Sequence, residues 1–186
     1  MHKPHRIRKF LTSLLAGVSL TLTPGLAKAG NTYEDHLALV EALQEVGITP
    51  LINTAHCSSG SDGLYHTTAR ILIVCQDNSQ TVGDQVDWTE NDLDTLRHEA
   101  HHVLQDCRLD SLGDGNLSLY FQDEEDLTEF VVNSSFSGEK IETLIQVLRE
   151  DGLSARDILL ELEAYIVAAD IDASLIADKL VEFCTD

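Results

Sequence analysis

Residues 89–107 read Thr-Glu-Asn-Asp-Leu-Asp-Thr-Leu-Arg-His-Glu-Ala-His-His-Val-Leu-Gln-Asp-Cys, and the fold is decided by how this stretch is read. Thr89, followed three residues later by Asp92, is a capping pair that satisfies backbone N–H groups left unbonded at a helix start. At about 100° per residue, Leu93, Leu96, Ala100, Val103, Leu104 and Cys107 fall within an arc of about 100°. The direction midway between His98 and His102 lies nearly opposite that arc, on a face shared with Thr95 and Gln105, while His101 points to one side. The segment is therefore a long amphipathic helix whose apolar side needs a covering layer. Its two aligned imidazoles stand outside the apolar stripe.

The flanking sequence supplies the cover. Upstream, Thr32-Tyr33-Glu34-Asp35 reads as a cap. The apolar positions Leu37, Val40, Leu43 and Val46 then carry a helix to Gly47, a left-handed stop. Ile48 to Thr54 reads as extended, with Pro50 confining it to a sheet edge. Ser58 to Gly63 is a turn. Leu64 to Cys75, with the run Ile71-Leu72-Ile73-Val74, reads as a strand pair or one long strand, and Asp77 to Asp87 as a loop. Downstream, residues 109–122 are irregular. Helices are expected at about 124–133, 139–150, 155–170 and 173–184, with Ser154 and Asp172 as caps. The pattern predicts one α+β domain over residues 30–186, with a small N-terminal antiparallel sheet and a helical C-terminal half.

Charge and leader define the setting. The chain of 186 residues carries 12 Lys and Arg against 32 Asp and Glu. Five of the basic residues (Lys3, Arg6, Arg8, Lys9 and Lys28) and none of the acidic ones fall within residues 1–29, leaving 7 against 32, a formal charge of −25. Such a surface repels phosphate backbones and anionic lipid, so nucleic acid is excluded as a partner. The basic stretch 2–9, the interrupted apolar run to Leu26 and the small residues of Ala27-Lys28-Ala29 read as an export signal cleaved before Gly30. That places the mature chain in the periplasm or outside the cell, with no membrane attachment. Four cysteines follow, at 57, 75, 107 and 184. An even number in an exported chain predicts two disulfides. Cys57–Cys75 and Cys107–Cys184 are the favoured pairing of the three possible. Without a C-x-x-C spacing, zinc binding by these cysteines is disfavoured.

The chemistry sits in His98-Glu99-Ala100-His101-His102, an H-E-x-x-H segment. Residues four apart lie one turn up the same helix face, so His98 and His102 can meet one metal ion at about 2.0–2.1 Å. Glu99, rotated by about 100°, can take a proton from a metal-bound water. A catalytic zinc needs a third protein ligand. The position six residues after His102 is Arg108, so that ligand must come from a later helix. Glu161 and Glu163 are the candidates. On the wheel of 155–170, Glu163 lies within the arc of Leu159, Leu160, Ile166 and Val167, and Glu161 lies with Asp157, Ala164 and Ala168. A carboxylate among apolar residues needs a positive partner, which makes Glu163 the choice; otherwise it would pair with Arg97 or Arg156. Gln105 and Asp106 are candidates to orient a ligand. Asp123-Glu124-Glu125-Asp126 lacks the order of a calcium loop and reads as acids at a helix start.

This combination resembles the gluzincin-type zinc metallopeptidases, in which H-E-x-x-H on one helix is completed by a Glu on a following helix, written E-x-E-A or E-A-x-x-x-A. Glu161-Leu162-Glu163-Ala164 and Ala168 match that pattern, and residues 95–107 look like small exported cyanobacterial-type proteins of this kind. Gly63-Leu64-Tyr65 through Val74 resembles the G-x-Y and edge strand that precede the motif in small members. The resemblance implies a strand that pairs with an extended peptide substrate. The 60 residues between His102 and Glu163 exceed the spacing of compact members, so helices within 124–150 are an insertion over or beside the cleft. No oxyanion donor stands out among Tyr165, His66 and His56. The expectation is zinc-dependent hydrolysis of peptide bonds with Glu99 as general base. The alternatives are a non-catalytic zinc module acting in protein interaction and a His cluster that only buffers metal.

Overall fold

The computed structural model of the chain describes residues 32–108 and 112–185; the expected export signal lies outside them. A 3-10 turn at Glu34–His36 leads into α1 (Leu37–Glu45), and β1 is Leu51–Ile52. Strands β2 (Gly63–His66) and β3 (Ile71–Val74) follow, then α2 (Glu90–Cys107), α3 (Glu124–Asn133), α4 (Gly138–Glu150), α5 (Ala155–Asp170) and α6 (Ala173–Cys184). The class is α+β with a helical C-terminal half, as the sequence predicts.

Local chemistry sets most of these boundaries. Thr89 and Asp92 form a reciprocal capping box, with Asp92 N–H donating to Thr89 Oγ1 and Thr89 N–H to Asp92 Oδ2. Ser154 accepts from Asp157 N–H at the head of α5, and Asp123 from Glu125 N–H at the head of α3. The acidic run 123–126 is thus a helix N-terminus facing the positive dipole end. Asp172 occupies the cap position of α6, but its side chain makes no capping bond. Gly47, with φ +84°, ends the first helical segment in the left-handed conformation expected of it.

The sheet departs from the antiparallel expectation. Its order is β1-β3-β2, with β3 paired antiparallel to β2 and parallel to β1. The chain leaves β1 through a 3-10 turn at Ala55–Ser59 and crosses to the far edge before the β2–β3 hairpin begins, which fixes the parallel pairing. β1 is only two residues long and, as Pro50 predicts, an edge. The β2–β3 connection is a 3-10 turn at Thr67–Ala69.

Helix α2 is the axis of the molecule. Leu96, Ala100, Val103, Leu104 and Cys107 pack with Leu39 and Leu43 of α1, Leu72 and Val74 of β3, and Ile176, Ala177 and Leu180 of α6. Alternation along β3 turns Ile73 to the opposite face, where it joins Leu64 and Cys75. A separate cluster joins Ile158, Leu162 and Ile166 of α5 to Leu144 and Leu148 of α4 and to Phe136. Helix α4 therefore backs α5. Both expected disulfides form. Cys57–Cys75 holds the turn after β1 to the end of β3, and Cys107–Cys184 joins the last turns of α2 and α6. Two disulfides fit an oxidising compartment. Among the described residues no helix is long and apolar enough to cross a membrane.

Candidate metal centre

The polar side of α2 is not a solvated face. From Asp92 to Cys107 every residue but Asp94 is buried, because α5 and the sheet cover what α1 and α6 do not. The covered polar sector divides into three strips. Thr95, Glu99 and Asp106 face β2, His98 and His102 face Glu161 of α5, and His101 and Gln105 face Glu163.

The central strip holds the ligand geometry. His98 Nε2 and His102 Nε2 are 3.0 Å apart. Glu161 Oε2 lies 3.3 Å from His98 Nε2, and Glu161 Oε1 lies 3.5 Å from His102 Nε2. Around a tetrahedral zinc with bonds of about 2.0–2.1 Å, neighbouring ligand atoms are about 3.3–3.4 Å apart, the value these three distances bracket. The group His98, His102 and Glu161, all buried, can hold a metal ion. Two imidazoles and one carboxylate also form a donor set suited to a divalent transition ion.

Glu161, and not Glu163, completes the set. The wheel reading treated α5 as having one apolar stripe. In the fold it is sandwiched, with Ile158, Leu162 and Ile166 on α4 and Val167 in the main core. The strip turned to α2 is Glu161, Ala164 and Ala168, where two alanines let the helices approach closely; Arg97 Nε donates to the Ala168 carbonyl at 2.7 Å. Glu163 is already saturated. Its Oε2 accepts from Gln105 Nε2 at 2.9 Å and from Tyr120 N–H at 3.1 Å, its Oε1 accepts from Phe121 N–H at 3.1 Å, and His101 Nε2 is 3.5 Å away. Neither arginine considered as its partner reaches it. Arg97 donates to His36 Nε2 and is paired with Asp94, and Arg156 donates to the Leu117 carbonyl.

Glu99 stands beside the ligands on the β2 side, 2% exposed, with Oε1 lacking a hydrogen-bond partner. A Cβ on Gly63 would lie 2.6 Å from Thr95 Cγ2 and 2.8 Å from Glu99 Oε1, so only glycine lets β2 approach α2 this closely. Glu99 is pushed up to about 8, mainly by burial; His102 and the Tyr65 backbone oppose this, and Glu161 and Asp62 add to it. Asp62, itself buried, is a member of the surroundings that sequence reasoning did not single out. Without metal, burial lowers His98 to about 4. Burial acts most strongly to lower His102, but Glu161, Glu99 and Gln105 together outweigh it and hold His102 at about 9. Burial would raise Glu161, yet the two histidines hold it well below the ordinary carboxylate range.

Of the residues considered as ligand-orienting, Gln105 reaches a ligand and Asp106 does not. Gln105 Oε1 is 2.7 Å from His102 Nδ1, while Asp106 accepts from Tyr65 Oη at 2.6 Å and from Gly113 N–H at 2.9 Å, fastening β2 and the 112–115 turn to α2. Of the oxyanion candidates, Tyr165 packs its ring edge-on to His98 at 4.6 Å. His66 is exposed and accepts from Ala69 N–H, and His56 Nε2 contacts Ser61 Oγ at 3.0 Å. No family model, curated protein or solved structure matches this chain.

Proposed function

We propose that this chain is an exported zinc-dependent endopeptidase, with His98, His102 and Glu161 as metal ligands and Glu99 as general base. The observation that carries the reading is the triangle of His98 Nε2, His102 Nε2 and the Glu161 carboxylate, with a second, unbonded carboxylate oxygen from Glu99 beside it. Zinc bound there supplies a Lewis acid that acidifies water and polarises a carbonyl. Glu99 accepts a proton at Oε1 from the attacking water and returns it to the leaving amine nitrogen. Of the three candidate donors to the carbonyl oxygen, Tyr165 is the one whose ring lies edge-on to His98. β2, an edge strand held against α2 at Gly63, is the element that would align an extended peptide. Export rests on the leader pattern and on two disulfides.

The test compares the native protein with Glu99→Gln for zinc content and for cleavage of a denatured protein. The expected result is one zinc per chain in both and cleavage only in the native form. Equal cleavage by the two rejects the base assignment.

One observation favours a second reading, a non-catalytic zinc module acting in protein interaction. His98, Glu99, His102 and Glu161 are each at most 4% exposed, the burial expected of a structural metal site. Under that reading chelation unfolds the protein, while Glu99→Gln changes neither activity nor partner binding.

A further inference from the structure

Glu163 is a fully buried carboxylate that the proposed chemistry does not use, two residues from a proposed ligand and pointing elsewhere. Its bonds form a connected series. Gln105 Nε2 donates to Glu163 Oε2 at 2.9 Å and to the Leu160 carbonyl at 3.0 Å. Both partners are acceptors, so the amide has one orientation: its nitrogen faces α5 and its oxygen faces His102. Gln105 Oε1, 2.7 Å from His102 Nδ1, is an acceptor and requires that Nδ1 carry a hydrogen. The lone pair offered to a metal then belongs to Nε2, the atom placed against His98 and Glu161. The other bonds of Glu163, from the N–H groups of Tyr120 and Phe121, tie the irregular 112–122 segment to the same series.

We propose that Glu163 and Gln105 are positioning residues that fix the hydrogen on His102 Nδ1 and present Nε2 for metal binding. They act through His102 and touch no metal themselves. The inference rests on the metal-site reading for its effect on zinc, but its geometric part stands without it. Replacing Glu163 by Gln sets an NH2 group against donors that had all faced a carboxylate. Either seating of the new amide leaves an N–H donor of Gln105, Tyr120 or Phe121 opposed to NH2, and the anchor that holds the Gln105 oxygen toward His102 is weakened. Groups of this kind behind a ligand are worth about 10–100-fold in metal affinity.

The experiment uses isotope-labelled protein and its Glu163→Gln and Gln105→Leu variants. It reads the NMR signal of the His102 Nδ1 hydrogen and zinc affinity by chelator competition. The expected result is a protected Nδ1–H signal in the native protein, its loss in both variants, and affinity lower by about 10–100-fold with the fold retained. The double variant Gln105→Glu with Glu163→Gln restores an acceptor toward His102 and a donor toward residue 105, while giving up the bond to the Leu160 carbonyl. It should recover the signal and part of the affinity, which a general packing defect would not allow. Native protein without the protected signal, or single variants that keep both signal and affinity, overturn the proposal. If Glu163→Gln fails to fold, the native signal and Gln105→Leu decide. Native protein that binds no zinc yet shows the signal, with loss in Gln105→Leu, refutes the metal site and leaves the positioning role standing.

Discussion

Glu161 and Glu163 are two residues apart on one helix, equally buried, and chemically opposite. Around Glu163 three N–H donors converge, and its charge is dispersed into the backbone of residues 120 and 121 and the side chain of Gln105. Around Glu161 stand two imidazole Nε2 atoms at 3.3 and 3.5 Å, one facing each carboxylate oxygen. A buried carboxylate is stable where hydrogen-bond donors or a positive charge compensate its lost hydration. The Glu163 corner achieves this with fixed N–H donors and one imidazole, His101, at 3.5 Å. The Glu161 corner places two converging imidazoles against one carboxylate, and that convergence separates a structural acid from a candidate ligand.

The largest effect that could break this contrast is on metal content. Glu161→Gln should lose zinc by more than the roughly 10–100-fold expected for a residue behind the ligands. It removes the anion while leaving the imidazoles. Mass spectrometry of the native and variant proteins under non-denaturing conditions measures it, and equal occupancy would erase the distinction between the two acids.

Gly63→Ala comes next. The added methyl falls against Thr95 and Glu99, and overpacking at such a site costs about 1–3 kcal/mol. Urea unfolding should show that loss, and cleavage should fall with it, because the displaced group is the proposed base. Unchanged stability would show that β2 does not press on α2.

A smaller effect concerns Asp106, on the β2 strip of α2. Burial raises its pKa, with the bonds from Tyr65 and Gly113 acting against that shift. A carboxyl raised on folding favours the native state fully below its unfolded value of about 3.9, and that contribution is lost as pH rises through the higher folded value. Asp106→Asn should therefore flatten the decline in stability just above pH about 3.9 relative to the native protein. Denaturant midpoints at a series of pH values measure the difference, and parallel curves would contradict it.

The contrast also explains how far the sequence could be read. Helix boundaries were legible because their determinants are local: Thr89 with Asp92, Ser154 with Asp157, and Gly47 each act within one turn. The pairing of β1 was not legible, since its parallel partner is set by a crossing that two strand residues do not encode. The meeting of His98 and His102 on one face was legible from spacing alone. The acid that joins them was not, because the wheel argument assumes one buried stripe and α5 is buried on several sides. The signal available was Ala164 and Ala168, three and seven residues after Glu161. Small residues there mark the strip that approaches another helix, and the acid sharing that strip is the one that reaches His98 and His102. Gly63 carried a similar hint, a glycine inside a strand where another element comes close.

X-ray absorption at the zinc edge, together with anomalous diffraction from crystals of the zinc-loaded protein, tests the central claim most directly. The account expects one ion per chain, bonded to Nε2 of His98, Nε2 of His102 and the Glu161 carboxylate at about 2.0–2.2 Å, with Glu163 still held by Gln105 and outside bonding distance. An ion bound by Glu163 in place of Glu161, or zinc taken up only at exposed acids with the two imidazoles unligated, would contradict it.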